Sequence, residues 1–221
     1  MQINTKNDLR YFLEADRLAL NRTKRKSKFV SSIFSPDYIW KFQKFLRYYE
    51  YLNNKKKNIL EKLFIYLIKF RFNKLSLKLG FSIPINAFGP GLSIAHIGPI
   101  IINSSAKIGN NCRIHVGTNI GTEAGYADKA PILGNNIYIG PGAVLFGAIT
   151  IANNCAIGAN AVVNKDFLNE SKVIAGVPAK EIGGIDIKTI NILATKIIDL
   201  KINKSLIVGL TAKEICQKLG K

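Results

Sequence analysis

Between Ile102 and Val163 an aliphatic residue returns every six positions: Ile102, Ile108, Ile114 and Ile120, then Leu133, Ile139, Leu145, Ile151, Ile157 and Val163. Four positions further on sits a second small or apolar side chain, as at Ala106, Cys112, Thr118, Ile137, Ala143, Ile149, Cys155 and Ala161. Glycine often follows the aliphatic directly, at Gly109, Gly121, Gly134, Gly140 and Gly158. This period matches neither the ~3.6 of an α-helix nor the ~2 of a strand. It predicts a parallel β-helix, with three short strands and three turns in each coil of about eighteen residues and the aliphatics pointing inward. The residue after the aliphatic is expected at a corner, where small size or a positive φ favours Gly and Asn.

The rhythm breaks once. Ile120 and Leu133 are thirteen positions apart, two hexads plus one, and residues 121–131 lack the pattern. They are expected to leave a corner of the coil as an excursion loop, where a rigid solenoid builds recognition.

Outside the repeat the period turns helical. Asp8 to Ala19 predicts a short amphipathic helix with Leu9, Phe12, Leu13 and Leu18 apolar. Ser35-Pro36-Asp37 reads as a helix start, with Ser35 as cap, and the helix is expected from Tyr38 to about Asn53. A third helix is expected from Asn58 to Leu79, stopped by Gly80, with Leu60, Leu63, Phe64, Leu67, Ile68 and Phe72 apolar. After Gly183-Gly184 the stretch to Leu200 again looks helical, and Thr211 with Glu214 has capping-box spacing. The predicted class is mainly β: a parallel β-helix over 81–183, an α-helical leader over 1–80 and a helical C-terminal extension over 184–221.

Charge follows the same boundaries. Residues 1–80 carry 19 Lys+Arg against 6 Asp+Glu, residues 81–183 carry 6 against 5, and residues 184–221 carry 7 against 3. A net charge of +18 favours polyanions or acidic membranes. No nucleic-acid motif accompanies it, so nucleic acid is not expected as a partner. The aromatics of the leader stand at core spacing and are expected to cap the solenoid end. Lys55-Lys56-Lys57 and the cations of the third helix leave peripheral membrane contact open. Asn21 to Lys28 reads as a basic loop. Three cysteines, without CxxC or Cys/His ligand spacing, argue for neither zinc nor a disulfide framework. The polar N-terminus and the lack of a long apolar run point to a cytoplasmic protein.

The chain has two histidines, His96 and His115, nineteen positions apart and so expected on neighbouring coils near one edge. Imidazole is the ordinary group for removing a proton from an alcohol. Counting back six from Ile102 puts His96 on an inward slot, unless the register shifts across Gly98-Pro99.

Two runs carry a resemblance: Gly91-Leu-Ser-Ile-Ala-His96 through Ile108-Gly109, and Val173-Ile-Ala-Gly-Val-Pro-Ala-Lys180. They resemble the left-handed β-helix of serine acetyltransferases, within the hexapeptide-repeat acyltransferase superfamily. The whole is also similar to O-acetyltransferases of polysaccharide pathways. The resemblance covers residues 88–183. It implies acetyl-CoA as co-substrate, no metal, direct acetyl transfer to an acceptor hydroxyl, and His96 as general base; beside it, His115 is a second catalytic candidate, for orienting or binding the acceptor. It further implies a homotrimer, with a dimer of trimers as a further arrangement, and CoA along the later coils between subunits, at Pro141, Ala159, Asn164, Lys165 and Lys180. Where serine acetyltransferases have an aspartate before the catalytic histidine, this chain has Ala95; where they have a second histidine before a proline of the loop, it has Ala130 before Pro131. The acceptor is therefore expected to be L-serine or a sugar hydroxyl of a polysaccharide precursor. Glu123 and Asp128 are the nearest carboxylates in sequence. The competing class is a non-catalytic trimeric β-helix, a scaffold or ligand-binding module.

Overall fold

The computed structural model describes residues 2–21, 36–55, 59–200 and 210–219. Residues 22–28 of the predicted basic loop, Ser35 of the predicted cap, and Lys56 and Lys57 lie outside them.

Short strands, parallel but for the last, are distributed over three faces. The first face holds β2 (Ser93–Ile94), β5 (Arg113–Ile114), β8 (Tyr138–Ile139), β11 (Ala156–Ile157) and β13 (Lys172–Gly176), with β14 (Ala179–Gly184) added antiparallel at its end. The second holds β1 (Phe81–Ser82), β3 (Ile100–Ile102), β6 (Asn119–Gly121), β9 (Val144–Phe146) and β12 (Val162–Val163). The third holds β4 (Lys107–Ile108), β7 (Ile132–Leu133) and β10 (Thr150–Ile151). From β2 to β12 successive strands pass from the first face to the second to the third and back, and isolated bridges at Phe88 and Phe167 mark the third face at the two ends, so the chain winds as a three-sided parallel β-helix.

The six-residue aliphatics are buried without exception, and so are the small residues four places on. Each aliphatic stacks on its equivalent one coil away: Ile102 on Ile120, Ile139 on Ile157, Leu145 on Val163. Burying such a side chain contributes roughly 1.5–3 kcal/mol, and the coil repeats the gain along its axis. Cys112 and Cys155 lie within this column, and burial pushes the pKa of both thiols up.

Two expectations about the coil need correction. The break is not two hexads plus one. Ile120 lies on the second face and Leu133 on the third, the next face in order, so seven residues are in excess over a single step. Pairs that straddle the loop, such as Ile114 with Ile139, are therefore offset by seven more than the usual coil. The corner also divides its requirements between two positions. At some corners small size is needed directly after the aliphatic: a Cβ on Gly140 would meet Ala159 N at 2.7 Å, and one on Gly109 would meet Gly134 O at 2.6 Å. Positive φ falls two residues later, at Asn111, Gly117, Asn136, Gly142, Asn154 and Asn160. Asparagine tolerates that region because its short amide can bond locally. Asn111 Nδ2 donates to Asn136 Oδ1 and Asn136 Nδ2 to Asn154 Oδ1, both at 2.8 Å, forming a ladder down one corner.

The leader is three helices: α1 (Lys6–Ala19), α2 (Tyr38–Asn54) and α3 (Ile59–Leu79). Thr5 and Asp8 close a reciprocal cap on α1. Asp37, not Ser35, caps α2 by accepting from Trp40 N at 3.1 Å. Phe42 of α2 stacks on Phe72 of α3 at 5.3 Å and meets Phe81 edge-on at 5.0 Å, joining the leader to the solenoid core. Ile68 and Phe72 are buried as expected, whereas Leu63, Phe64 and Leu67 are exposed.

Arg47 of α2 is wholly buried and joins α1, α2 and the start of the solenoid. Its guanidinium donates to both oxygens of Asp16, to Glu50 Oε2, and to the carbonyls of Phe88 and Gly89. Asp16 Oδ1 also accepts from the backbone of Gly91 and Leu92, both at 2.9 Å. Burial opposes the Arg47 charge, but the Asp16 and Glu50 carboxylates hold its pKa above the ordinary value. This network clamps the turn that leads directly into β2. The C-terminal segment forms a 3₁₀ turn (Ile187–Thr189) and two helices, α4 (Ala194–Asp199) and α5 (Ala212–Leu219), the second capped reciprocally by Thr211 and Glu214. Among the described residues no helix is long and apolar enough to cross a membrane.

Candidate active site

β2 and β5 end side by side at the corner between the first and second faces. Ile94 occupies the inward slot of β2, paired with Ile114. His96 does not take that slot: two extra residues between Ile94 and Ile102 shift the register, and its side chain is exposed. His115 follows Ile114 at the same corner, one coil on, and is half-buried. The two imidazole centroids are 5.9 Å apart. His115 in turn lies 5.1 Å from the ring of Tyr138 on the next coil. The corner thus presents an aromatic column of His96, His115 and Tyr138.

The electrostatics of the pair favour neutral imidazole at His115. Burial, the Arg113 guanidinium and His96 all push its pKa below the ordinary 6.5. Arg113 Nε donates to His115 Nε2 in a long 3.5 Å contact. The backbone is held as well: Thr118 Oγ1 donates to His115 O at 2.8 Å and His115 N donates to Ile139 O. Among the described residues neither histidine bonds to a carboxylate. Glu123 pairs instead with Lys129 within the excursion loop, at 3.2 Å, and Asp128 is exposed there.

The other predicted site residues fall into two sets. Pro141 and Ala159 each sit two residues beyond an inward isoleucine of the first face, Ile139 and Ile157, and both are exposed. They therefore stand on the same edge as the histidines, further along the axis. Beyond them on that edge comes the turn between β13 and β14, and Lys180 is exposed on β14. Asn164 and Lys165 follow β12 on the second face, at its far corner with the third, and so are not brought to the histidine edge within one chain. Lys165 Nζ lies 5.5 Å from the ring of Phe167.

Sequence reading missed Arg113 and Tyr138. Both immediately precede inward isoleucines and pair in register. Bringing Tyr138 to this corner requires the seven-residue excess of the loop, which the hexad count misjudged, whereas Arg113 stands two residues before His115. A groove of about 770 Å³ also opens on the second face beneath the C-terminal half of α3, lined by Ser82, Ile101, Asn103, Asn119 and Thr122 among others. None of the predicted site residues lines it.

A three-sided hexapeptide β-helix with an exposed histidine column on one edge is the class these features define. No family model matches the chain. The serine acetyltransferase of Helicobacter pylori strain J99 is 37% identical over 95 residues, which are 42% of this chain and 55% of that protein. Soybean serine acetyltransferase complexed with serine aligns over 80% of this chain and 70% of its own, with a TM-score of 0.62 at 21% identity. Serine acetyltransferase of Brucella abortus in complex with coenzyme A covers 81% of this chain and 68% of its own, with a TM-score of 0.57 at 23% identity. At that identity the structural likeness speaks to fold. The chain spans from 25% to 56% of the curated serine acetyltransferases it matches. The sequence relatives and the structural neighbours are both serine acetyltransferases, the first alike over part of this chain and the second in fold.

Proposed function

We propose that the protein is an acetyl-CoA-dependent O-acetyltransferase with His96 as general base. The observation that carries this reading is the exposed His96 imidazole on an edge it shares with Pro141 and Ala159. Acetyl-CoA is a co-substrate that supplies the acetyl group as a thioester and leaves as the thiol. His96 takes the proton of the acceptor hydroxyl as its oxygen attacks the thioester carbonyl. The C–S bond breaks, and the imidazolium returns the proton to the departing sulfur. No acyl-enzyme is needed. The residues present fit the donor: Pro141 and Ala159 are compact and exposed along this edge, so an extended pantetheine arm can approach it. Lys165 and Lys180 are exposed cations suited to its phosphates.

Winding the coils left-handed and assembling them as a homotrimer, as the resemblance implies, agrees with the split of the predicted residues. Cyclic association can set the Asn164–Lys165 corner of one copy against the histidine edge of another. A reaction that draws on acetyl-CoA is compatible with the cytoplasmic location expected from the sequence. L-serine is the acceptor favoured by the relatives. A sugar hydroxyl of a polysaccharide precursor is favoured by Ala95 and Ala130, which lack the polar groups that serine acetyltransferases carry there.

The test is thiol release from acetyl-CoA with serine and a panel of sugar acceptors. Release is expected to depend on an acceptor and to fall by roughly 10²–10⁴-fold in His96→Ala. Equal rates for wild type and variant with every acceptor would remove His96 from the chemistry. CoA protection against unfolding with no turnover would make the protein a binding module instead.

A further inference from the structure

The outward face of α3 has no role in acetyl transfer and is unusual for a helix on a folded protein. Ile68, Phe72, Leu75 and Leu79 recur at helical spacing and are buried against α2 and the solenoid. Leu63, Tyr66, Leu67, Phe70 and Leu77 recur at the same spacing on the opposite side and are exposed, Leu63 by 72%, Tyr66 by 69%, Phe70 by 61% and Leu77 by 86%. At about 100° per residue the two stripes lie back to back. One stripe is accounted for by packing; nothing among the described residues covers the other.

The charges around the bare stripe are all of one sign. Lys62 and Lys69 border it on one side, Arg71 and Lys78 on the other, and Lys74 lies within it, all exposed. Lys78 also rests on the Tyr38 ring, 3.9 Å from its centroid. The one acid of the helix, Glu61, is turned to Lys55. An apolar stripe rimmed by cations has the composition of an interfacial helix, which sinks its large side chains among acyl chains while lysines reach the headgroups. A second copy of this chain would bring like charges face to face, which argues against self-association through the stripe.

We propose that the Leu63–Leu77 face of α3 docks the protein on an anionic lipid bilayer. The docking is peripheral, because α3 is not apolar enough to cross a membrane. It stands apart from the acetyl-transfer reading, since no residue of the stripe touches the histidine edge.

Co-sedimentation of the full chain with vesicles tests it. Vesicles of phosphatidylcholine alone are compared with vesicles of phosphatidylcholine mixed with phosphatidylglycerol. Wild type is expected to pellet with the anionic vesicles and to stay in solution with the neutral ones. Leu63→Gln/Phe70→Gln is expected to weaken that binding by roughly tenfold or more. Lys62→Gln/Lys69→Gln/Lys74→Gln should weaken it by roughly fivefold per lysine. Tyr66→Ser/Leu77→Ser provides a second apolar variant, and all the altered side chains are exposed, so folding is not at stake. Absence of vesicle binding by wild type, equal binding to neutral vesicles, or full binding by both apolar variants overturns the proposal. If light scattering finds a smaller assembly for the apolar variants while wild type ignores vesicles, the stripe is a self-association surface instead.

Discussion

At the scale of the residue, His96 and His115 share a corner but not an environment. His96 is open to solvent, whereas His115 is half-buried between Arg113, His96 and Tyr138. The depressed pKa of His115 has a defined consequence for stability. Its folded value lies below its unfolded one, so the unfolded chain binds more protons between the two. The contribution of His115 is fully present above about pH 6.5 and is lost as pH falls from there toward the folded value. His115→Gln should therefore flatten the acid-side fall of the melting temperature in a pH series. Arg113→Gln should flatten it in part, since the largest cause, burial, remains. A steeper fall in either variant would contradict the assignment. The sign was not legible in the sequence; His96 was expected beside His115 and Arg113 stands two residues before it, but Tyr138 reaches it only through register across the loop.

At the scale of the element, the hexapeptide corner imposes two separate demands. Directly after the aliphatic, the neighbouring coil leaves no space for a Cβ at Gly140, whereas at Gly121 the nearest atom is 3.5 Å away. Gly140→Ala is expected to cost about 1–3 kcal/mol, because the clashing atoms are backbone and cannot swing aside. Gly121→Ala should be near neutral. Two residues later the demand is positive φ. Asn136→Ala should cost about 1–2 kcal/mol for the left-handed backbone alone and more for the broken amide ladder, while Asn136→Gly should cost less. Urea denaturation midpoints measure all four, and a Gly140→Ala protein as stable as Gly121→Ala would refute the steric account. The recurrence of Gly and Asn was visible in the sequence. Their division of labour was not, since steric room depends on the next coil.

At the scale of the whole molecule, the leader is tied to the solenoid through charge as well as apolar packing. Arg47 is the junction: it bonds to both Asp16 and Glu50 and satisfies two carbonyls of the turn that precedes β2. Burial pushes the Glu50 carboxyl up, and Arg47 pulls it back. Arg47→Met leaves two buried acids without their partner and should destabilise the protein by roughly 3–5 kcal/mol in denaturant titrations. A change below about 1 kcal/mol, the range of an exposed pair, would show that the cluster is hydrated in solution. The aromatics Phe42 and Phe72 were expected to cap the solenoid and do so. Leu63, Phe64 and Leu67 have the same spacing yet face outward, because α3 has only one side against the coil.

The sequence alone determined the coil. Inward aliphatics six apart can be buried together only by winding the chain on three faces, and that constraint is local and repeated. It also marked the histidines and the loop as departures from the rhythm. Tertiary structure decided what those departures do: it moved His96 from the inward slot to the surface, set His115 between Arg113 and Tyr138, and kept the Asn164–Lys165 corner away from both. Those outcomes depend on insertions that shift register between coils, and a shift of one or two residues turns a side chain from core to solvent without changing its neighbours in sequence.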